Sequence, residues 1–334
     1  MLRYCADGGF IALPSYRGLG LVMDDQRKTS CNGLFELVDF QSEGARLRGR
    51  LYRSSGAEPS PCVVMAHGTS ATIGMVAENY AEAFHRSGMS VLLYDHRNFG
   101  DSGGVPRQEI NPWIQARGYR DAVAFLRTRS EVDADRIVLW GDSYSATQIL
   151  VVGALIGGLA AIVAQIPACG IELPSVQPSD KAFASMKATF ENGDVSCSKE
   201  MATGPIPVVS CDQLNIPSLL KPIQAFRWFM EYGGRHGSKW ENRVTRVTPR
   251  TPVPFTPCLT APYIRIPTLM MVGRGDEMEH CNRSVQVAVF DSIAAPKVFH
   301  EVDGGHFGLL WNPGTIFDEA AALQTKFLRD LFSV

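Results

Sequence analysis

The chain has 334 residues, 45% of them hydrophobic, and a formal net charge of −2 from 32 Lys plus Arg and 34 Asp plus Glu. At roughly 150 residues per domain, that length fits one large domain with an insertion, or two, and the apolar share can fill a sizeable core. The near balance of charge speaks against nucleic acid or an anionic membrane as partner, and no apolar run approaches the roughly 20 residues of a membrane span.

Residues 1–33 carry scattered glycines and charges without a continuous apolar stretch or a cleavage pattern. We read them as an N-terminal extension with no signal peptide, and Met23 as an alternative start. Residues 34–40 and 46–53 alternate apolar and polar side chains across Gln41-Ser42-Glu43-Gly44, the pattern of an antiparallel hairpin. Val63 to Ala66 is a short apolar run, as expected of a strand buried on both faces, and it leads into His67-Gly68-Thr69-Ser70. Residues 75–87 place apolar side chains at helical spacing, with Gly88 where a helix cap belongs. Val91 to Tyr94 is the next buried strand and empties into a polar loop, residues 95–104. Asn111-Pro112 opens a helix that reaches about Arg129, with proline at its first position.

The stretch 136–155 stands out. A buried strand, Ile137 to Trp140, runs into Gly141-Asp142-Ser143-Tyr144-Ser145 and then into an apolar helix. A strand that turns sharply into a helix brings its two arms together, so the residues two before and two after the central serine must be small. The turn leaves Ser143 exposed at a helix N-terminus, where the backbone dipole favours a developing anion. Asp142 beside it reads as an exposed residue of the turn. Another apolar strand follows at 159–166. Strands buried on both faces alternating with helices predict a mostly parallel sheet covered by helices on two sides.

The rhythm breaks after Pro167. Eleven of the 20 prolines fall in residues 170–262. Helical spacing persists there at 181–191 and more clearly at 219–232. We read 170–262 as a cap inserted over the carboxyl edge of the sheet, with the core made of 34–169 and 263–334. The sheet pattern resumes at 267–272 and ends in Gly273-Arg274-Gly275-Asp276. A helix over 283–293, a strand over 297–302 ending in Asp303-Gly304-Gly305-His306-Phe307, and a helix over 314–331 complete the chain.

Nucleophilic catalysis by serine needs a base within reach and an acid to orient that base. Ser143, Asp276 and His306 each lie just past a strand's carboxyl end, where the loops of a parallel sheet converge. Glu277 and Glu279 are rivals for the acid, and His300 and His280 for the base. Ser143 as a plain helix cap is the alternative to all of this. Eight cysteines, at 5, 31, 62, 169, 197, 211, 258 and 281, form no Cys-x-x-Cys pair, and no His lies at zinc-finger spacing. Reduced thiols in a cytoplasmic protein are the expectation. No metal site, phosphate loop or dinucleotide fingerprint is visible, so no cofactor is expected.

The turn at Ser143, the order Ser–Asp–His, and the Gly273-x-x-Asp276 and Gly-Gly-His306-Phe motifs resemble the α/β-hydrolases. One departure is Ser145, where that superfamily usually has glycine. The resemblance implies an α/β-hydrolase fold and an oxyanion hole built from the Tyr144 amide and an amide of the loop after the His67-Gly68 strand, Thr69. It implies a structural role for His67 and a scaffolding role for the 95–104 loop, which looks like an Asp-x-Arg-x-x-Gly-x-Ser turn. Residues 229–234 and 239–245 are similar to the cap of a branch that holds X-Pro dipeptidyl-peptidases, dienelactone hydrolases and fungal polyketide transferases. Trp228 and Trp240 could serve that cap's own core or touch substrate.

The implied activity is cleavage of a small-molecule ester or thioester with an apolar acyl part, through an acyl-enzyme on Ser143. An acyltransferase using the same residues and a non-catalytic binding protein are the competing readings, and a homodimer is left open.

Overall fold

The computed structural model describes residues 33–56, 59–196 and 201–333. The expected N-terminal extension lies outside the described residues apart from Gly33.

Strands β1 (Glu36–Ser42) and β2 (Ala45–Tyr52) pair antiparallel, with Ser42 opposite Ala45. Glu43 and Gly44 turn between them at φ 47° and 72°. Two successive left-handed residues match the twist of a two-residue hairpin, which is why Gly44 falls here. Next come β3 (Ser60–Ala66), α1 (Ala77–Arg86), β4 (Ser90–Tyr94), a short β5 (Glu109–Ile110) and α2 (Pro112–Leu126). Then follow β6 (Val132–Asp142), α3 (Ser143–Leu155) and β7 (Ala161–Gln165). The Asn111 side chain caps α2 by accepting the amides of Trp113 and Ile114.

Residues 170–262 carry α4 (Asp180–Asn192), β8 (Ala202–Ile206), α5 (Ile223–Gly233) and β9 (Val244–Val247). The chain closes with β10 (Thr268–Gly273), α6 (Arg283–Ser292), β11 (Lys297–Val302) and α7 (Thr315–Phe332).

The main sheet has eight strands in the order β1-β2-β4-β3-β6-β7-β10-β11. All pairings from β4 through β11 are parallel, and β2 joins β4 antiparallel. The mostly parallel sheet follows from strands whose successive side chains bury on opposite faces. Ile137 and Leu139 enter one core with α2, α3 and α6, while Val138 and Trp140 enter the other with α1 and α7. Between β3 and β6 the order of strands reverses. Connections leave these two strands in opposite directions, and a crevice opens beyond their carboxyl ends.

Two features depart from the sequence reading. The helix expected over 219–232 begins only at Ile223, after Pro222. Proline disfavours helical backbone in the residue before it. Leu219 and Leu220 instead run extended, donating their amides to the carbonyls of Pro207 and Val208. The second feature is a small sheet, β5-β9-β8, which ties residues 170–262 to the loop that precedes α2. No helix among the described residues is long and apolar enough to cross a membrane.

Candidate active site

Ser143 sits at the junction of β6 and α3 with φ 52°. A non-glycine residue in the left-handed region is strained, and such strain persists only where the surroundings enforce it. Here the enforcement is visible. A Cβ added to Gly141 would lie 2.6 Å from the Ser145 carbonyl carbon, so the arms of the turn meet at this glycine. Ser145 is wholly buried and its hydroxyl does more than fit. It accepts the Asp142 amide at 3.0 Å and lies 2.9 Å from the Ala66 carbonyl at the end of β3. The serine that replaces the usual glycine thus ties the turn to the neighbouring strand.

Asp276 follows β10 and His306 follows β11. Because β10 and β11 are neighbours in register, their terminal loops lie side by side. The Asp276 carboxylate accepts from Nδ1 of His306 at 2.8 Å, with both side chains at most 4% exposed. Its other oxygen accepts the Met278 amide at 2.9 Å. A proton on Nδ1 leaves Nε2 of His306 with its lone pair free.

The rivals go elsewhere. Glu277 accepts the backbone amide of His306 at 2.8 Å, Glu279 pairs with Lys221, and His300 faces Glu319. Glycine at 305 allows the first of these, since a Cβ there would meet the Glu277 carboxylate at 2.4 Å.

Ser143 and His306 line one cavity of about 860 Å³, counting the open space at its mouth. Tyr144, Thr69 and Gly68 line it too, and its walls are apolar, including Leu219, Leu220, Trp228 and Phe229. An apolar lining with a few polar groups suits a small organic ligand. Trp228 is 2% exposed and its indole donates to the Leu310 carbonyl at 2.6 Å, so it is both core and wall. Trp240 packs on Phe229, away from the cavity lining.

Tyr144 lies in the first turn of α3, where backbone amides have no helical acceptor. The Thr69 amide also has no acceptor among the described residues.

His67 is buried under this loop. Its Nδ1 donates to the Gly68 carbonyl at 2.9 Å, and its Nε2 accepts the His96 amide at 3.4 Å. Burial holds its imidazole below the ordinary value. In the 95–104 loop, Asp95 accepts the amides of Ile73 and Asp101.

Asp142 is a correction to the sequence reading. It is 4% exposed rather than exposed, covered by Gly68 of the loop after β3. Burial pushes its carboxyl up to about 6, against the pull of His306. A raised acid favours the protonated fold. That stabilisation is complete below the ordinary 3.8 and is lost as the pH rises through about 6. The interval corresponds to about 3 kcal/mol. Asp142→Asn is therefore expected to resist urea better than the parent by about 3 kcal/mol at pH 8 and by about half that at pH 5. An equal gap at both pH values would contradict the burial argument.

Cys281 was not singled out by the sequence. Its thiol lies 3.5 Å from Nδ1 of His306, and burial raises it well above the ordinary value, so it stays a neutral thiol. A lone cysteine with no spacing pattern gave no signal. Asp276, Cys281 and His306 each bring a donor atom within 4.8 Å of the others. Ligands of one tetrahedral ion sit about 3.3 Å apart at usual bond lengths. The 2.8 Å between Asp276 and His306 fits a shared proton instead.

A family model described as serine aminopeptidase, S33, matches residues 57–201. Thiohydrolase aneE of Aspergillus aculeatus is 27% identical over 322 residues, covering 94% of this chain and 97% of its own. Polyketide transferase claH of Penicillium crustosum is 26% identical over 304 residues, covering 88% and 97%. Among solved structures, the α/β hydrolase GrgF from Penicillium sp. sh18 superposes with a TM-score of 0.65 at 22% identity, covering 90% and 99%. The chain shares the α/β-hydrolase fold. The cavity lined by Ser143 and His306 lies beyond the carboxyl ends of the central strands, where the sheet order reverses.

Proposed function

We propose that this α/β-hydrolase cleaves acyl thioesters and esters with an apolar acyl chain, through an acyl-enzyme on Ser143. The observation that carries the reading is a strained serine and His306 lining one apolar cavity, with Asp276 buried behind the imidazole and bonded to its Nδ1. Ser143 Oγ attacks the carbonyl while Nε2 of His306 takes its proton. The imidazolium so formed is held by Asp276 through Nδ1–H. The Tyr144 and Thr69 amides hold the oxyanion, each worth about 3 kcal/mol in the transition state. His306 returns the proton to the departing thiol or alcohol. Water, activated by the same imidazole, then frees the acid.

Residues 170–262 act as the cap in this reading. Leu219, Leu220, Trp228 and Phe229 come from that segment and form the apolar wall, which supports a substrate with substantial hydrophobic surface. The five free cysteines among the described residues support a reducing, cytoplasmic setting.

Transfer of the acyl group to an alcohol is a second reading, favoured by the polyketide transferase likeness along nearly the whole chain. Incubation with an octanoyl thioester, with and without alcohol acceptors, tests both. The hydrolytic reading expects free acid as the main product throughout. Ester formation that outruns hydrolysis would replace it with the transferase. No Ser143-dependent turnover of esters or thioesters would overturn both.

A further inference from the structure

Arg246 is the one residue lining the cavity that carries a permanent charge. The register of β9 accounts for its position. It pairs with Ile110 of β5, another lining residue, and shares a strand face with Val244, which is buried in the same core as Trp228 and Phe229. That face starts in the core and ends at the cavity mouth. Arg246 is exposed, and its guanidinium has no hydrogen-bond or ion-pair partner among the described residues.

The same cavity is lined by Tyr144, next in sequence to the nucleophile, whose phenol is likewise without a hydrogen-bond partner among the described residues. Burial pushes this phenol up, and the Arg246 guanidinium pulls it back down. His280, also in the lining, is held low first by its burial and then by the same guanidinium. The one lining carboxylate, Asp142, is buried against the nucleophile turn and pairs with no arginine.

An apolar cavity lined by an unpaired guanidinium and a free phenol is not uniformly hydrophobic. A purely hydrocarbon substrate would leave both groups unused. A guanidinium is weakly hydrated and matches the two oxygens of a carboxylate or phosphate, and the phenol adds a third donor.

We propose, resting on the acyl-enzyme reading above, that Arg246 and Tyr144 form a subsite for an anionic oxygen group on the substrate. The substrate is then an acyl thioester with two distinct ends, one reactive and one charged. The charge has two sources with the same chemistry: a carboxylate on the acyl chain, or the phosphate of a pantetheine arm on the leaving group.

A two-by-two set of thioesters separates them. Octanoyl and suberyl groups are each carried on N-acetylcysteamine and on phosphopantetheine, and kcat/KM is measured for the parent, Arg246→Gln and Arg246→Lys. The parent is expected to prefer one anionic form over its neutral counterpart by about 10- to 100-fold, mainly through KM, as a charge-assisted hydrogen bond gives. Arg246→Gln removes that preference, Arg246→Lys keeps part of it, and added salt shrinks it. A suberyl preference assigns the subsite to the acyl chain, and a phosphopantetheine preference assigns it to the carrier arm.

No preference in the parent, or an equal preference in Arg246→Gln, would overturn the proposal. Binding of the same four compounds to the Ser143→Ala protein reads the subsite without turnover. A failure of the nucleophile assignment is thereby told apart from a failure of the anion subsite.

Discussion

Replacing Ser143 with alanine is expected to lower kcat on an octanoyl thioester by about a millionfold, the loss seen when a catalytic serine is removed from a triad that acts as a unit. Substrate affinity should change little, because most of the cavity wall belongs to other residues. The size of the effect follows from the local structure. The φ of 52° and the close approach at Gly141 hold residue 143 at the turn between β6 and α3, and no second hydroxyl shares that position. The alanine variant should fold as the parent does, since the same residues enforce the turn. A loss of less than about a hundredfold, the lower end of what a single positioned acid–base group contributes, would mean that another residue attacks.

Asp276→Asn is expected to cost about 10⁴-fold in kcat, through the tautomer of His306 rather than through charge alone. Both carboxylate oxygens are engaged. One accepts the Met278 amide and the other accepts from Nδ1 of His306. In the asparagine variant the amide oxygen must stay where the Met278 N–H donates. Its NH2 then faces Nδ1, which becomes an acceptor, and the ring proton moves to Nε2. A protonated Nε2 cannot take the serine's proton. Glu277→Gln supplies the contrast. That side chain accepts a backbone amide of His306 and does not face the ring nitrogen, so its loss of rate should fall well short of the asparagine variant's. Equal losses from the two variants would refute the assignment of Asp276 as the orienting acid.

Much of this was legible in the chain because it depends on local constraints. A serine between small residues, after an apolar strand and before an apolar helix, can hardly adopt another turn. The loops carrying Asp276 and His306 could be located because each follows a buried strand whose pattern is strong. Their meeting needed only that β10 and β11 be neighbours, which is the usual arrangement for successive parallel strands.

What was not legible depends on contacts distant in sequence. The burial of Asp142 comes from Gly68, more than seventy positions earlier, so a residue that looks exposed in its own turn is covered by another loop. Cys281 reaches His306 only through the path of the chain after β10. The pairing of β5 with β9 joins two short segments with no strand pattern of their own. The same pairing brings Arg246 to the cavity. Ser145 could be read as small, but its hydrogen bond toward Ala66 required the strand order.

The most direct test is covalent. The protein is treated with a fluorophosphonate at neutral pH and digested, and the modified peptide is identified by mass spectrometry. The account predicts a single adduct on Ser143, formed far more slowly in His306→Ala. A well-folded protein that takes up no label, or carries it on a residue other than Ser143, would contradict it.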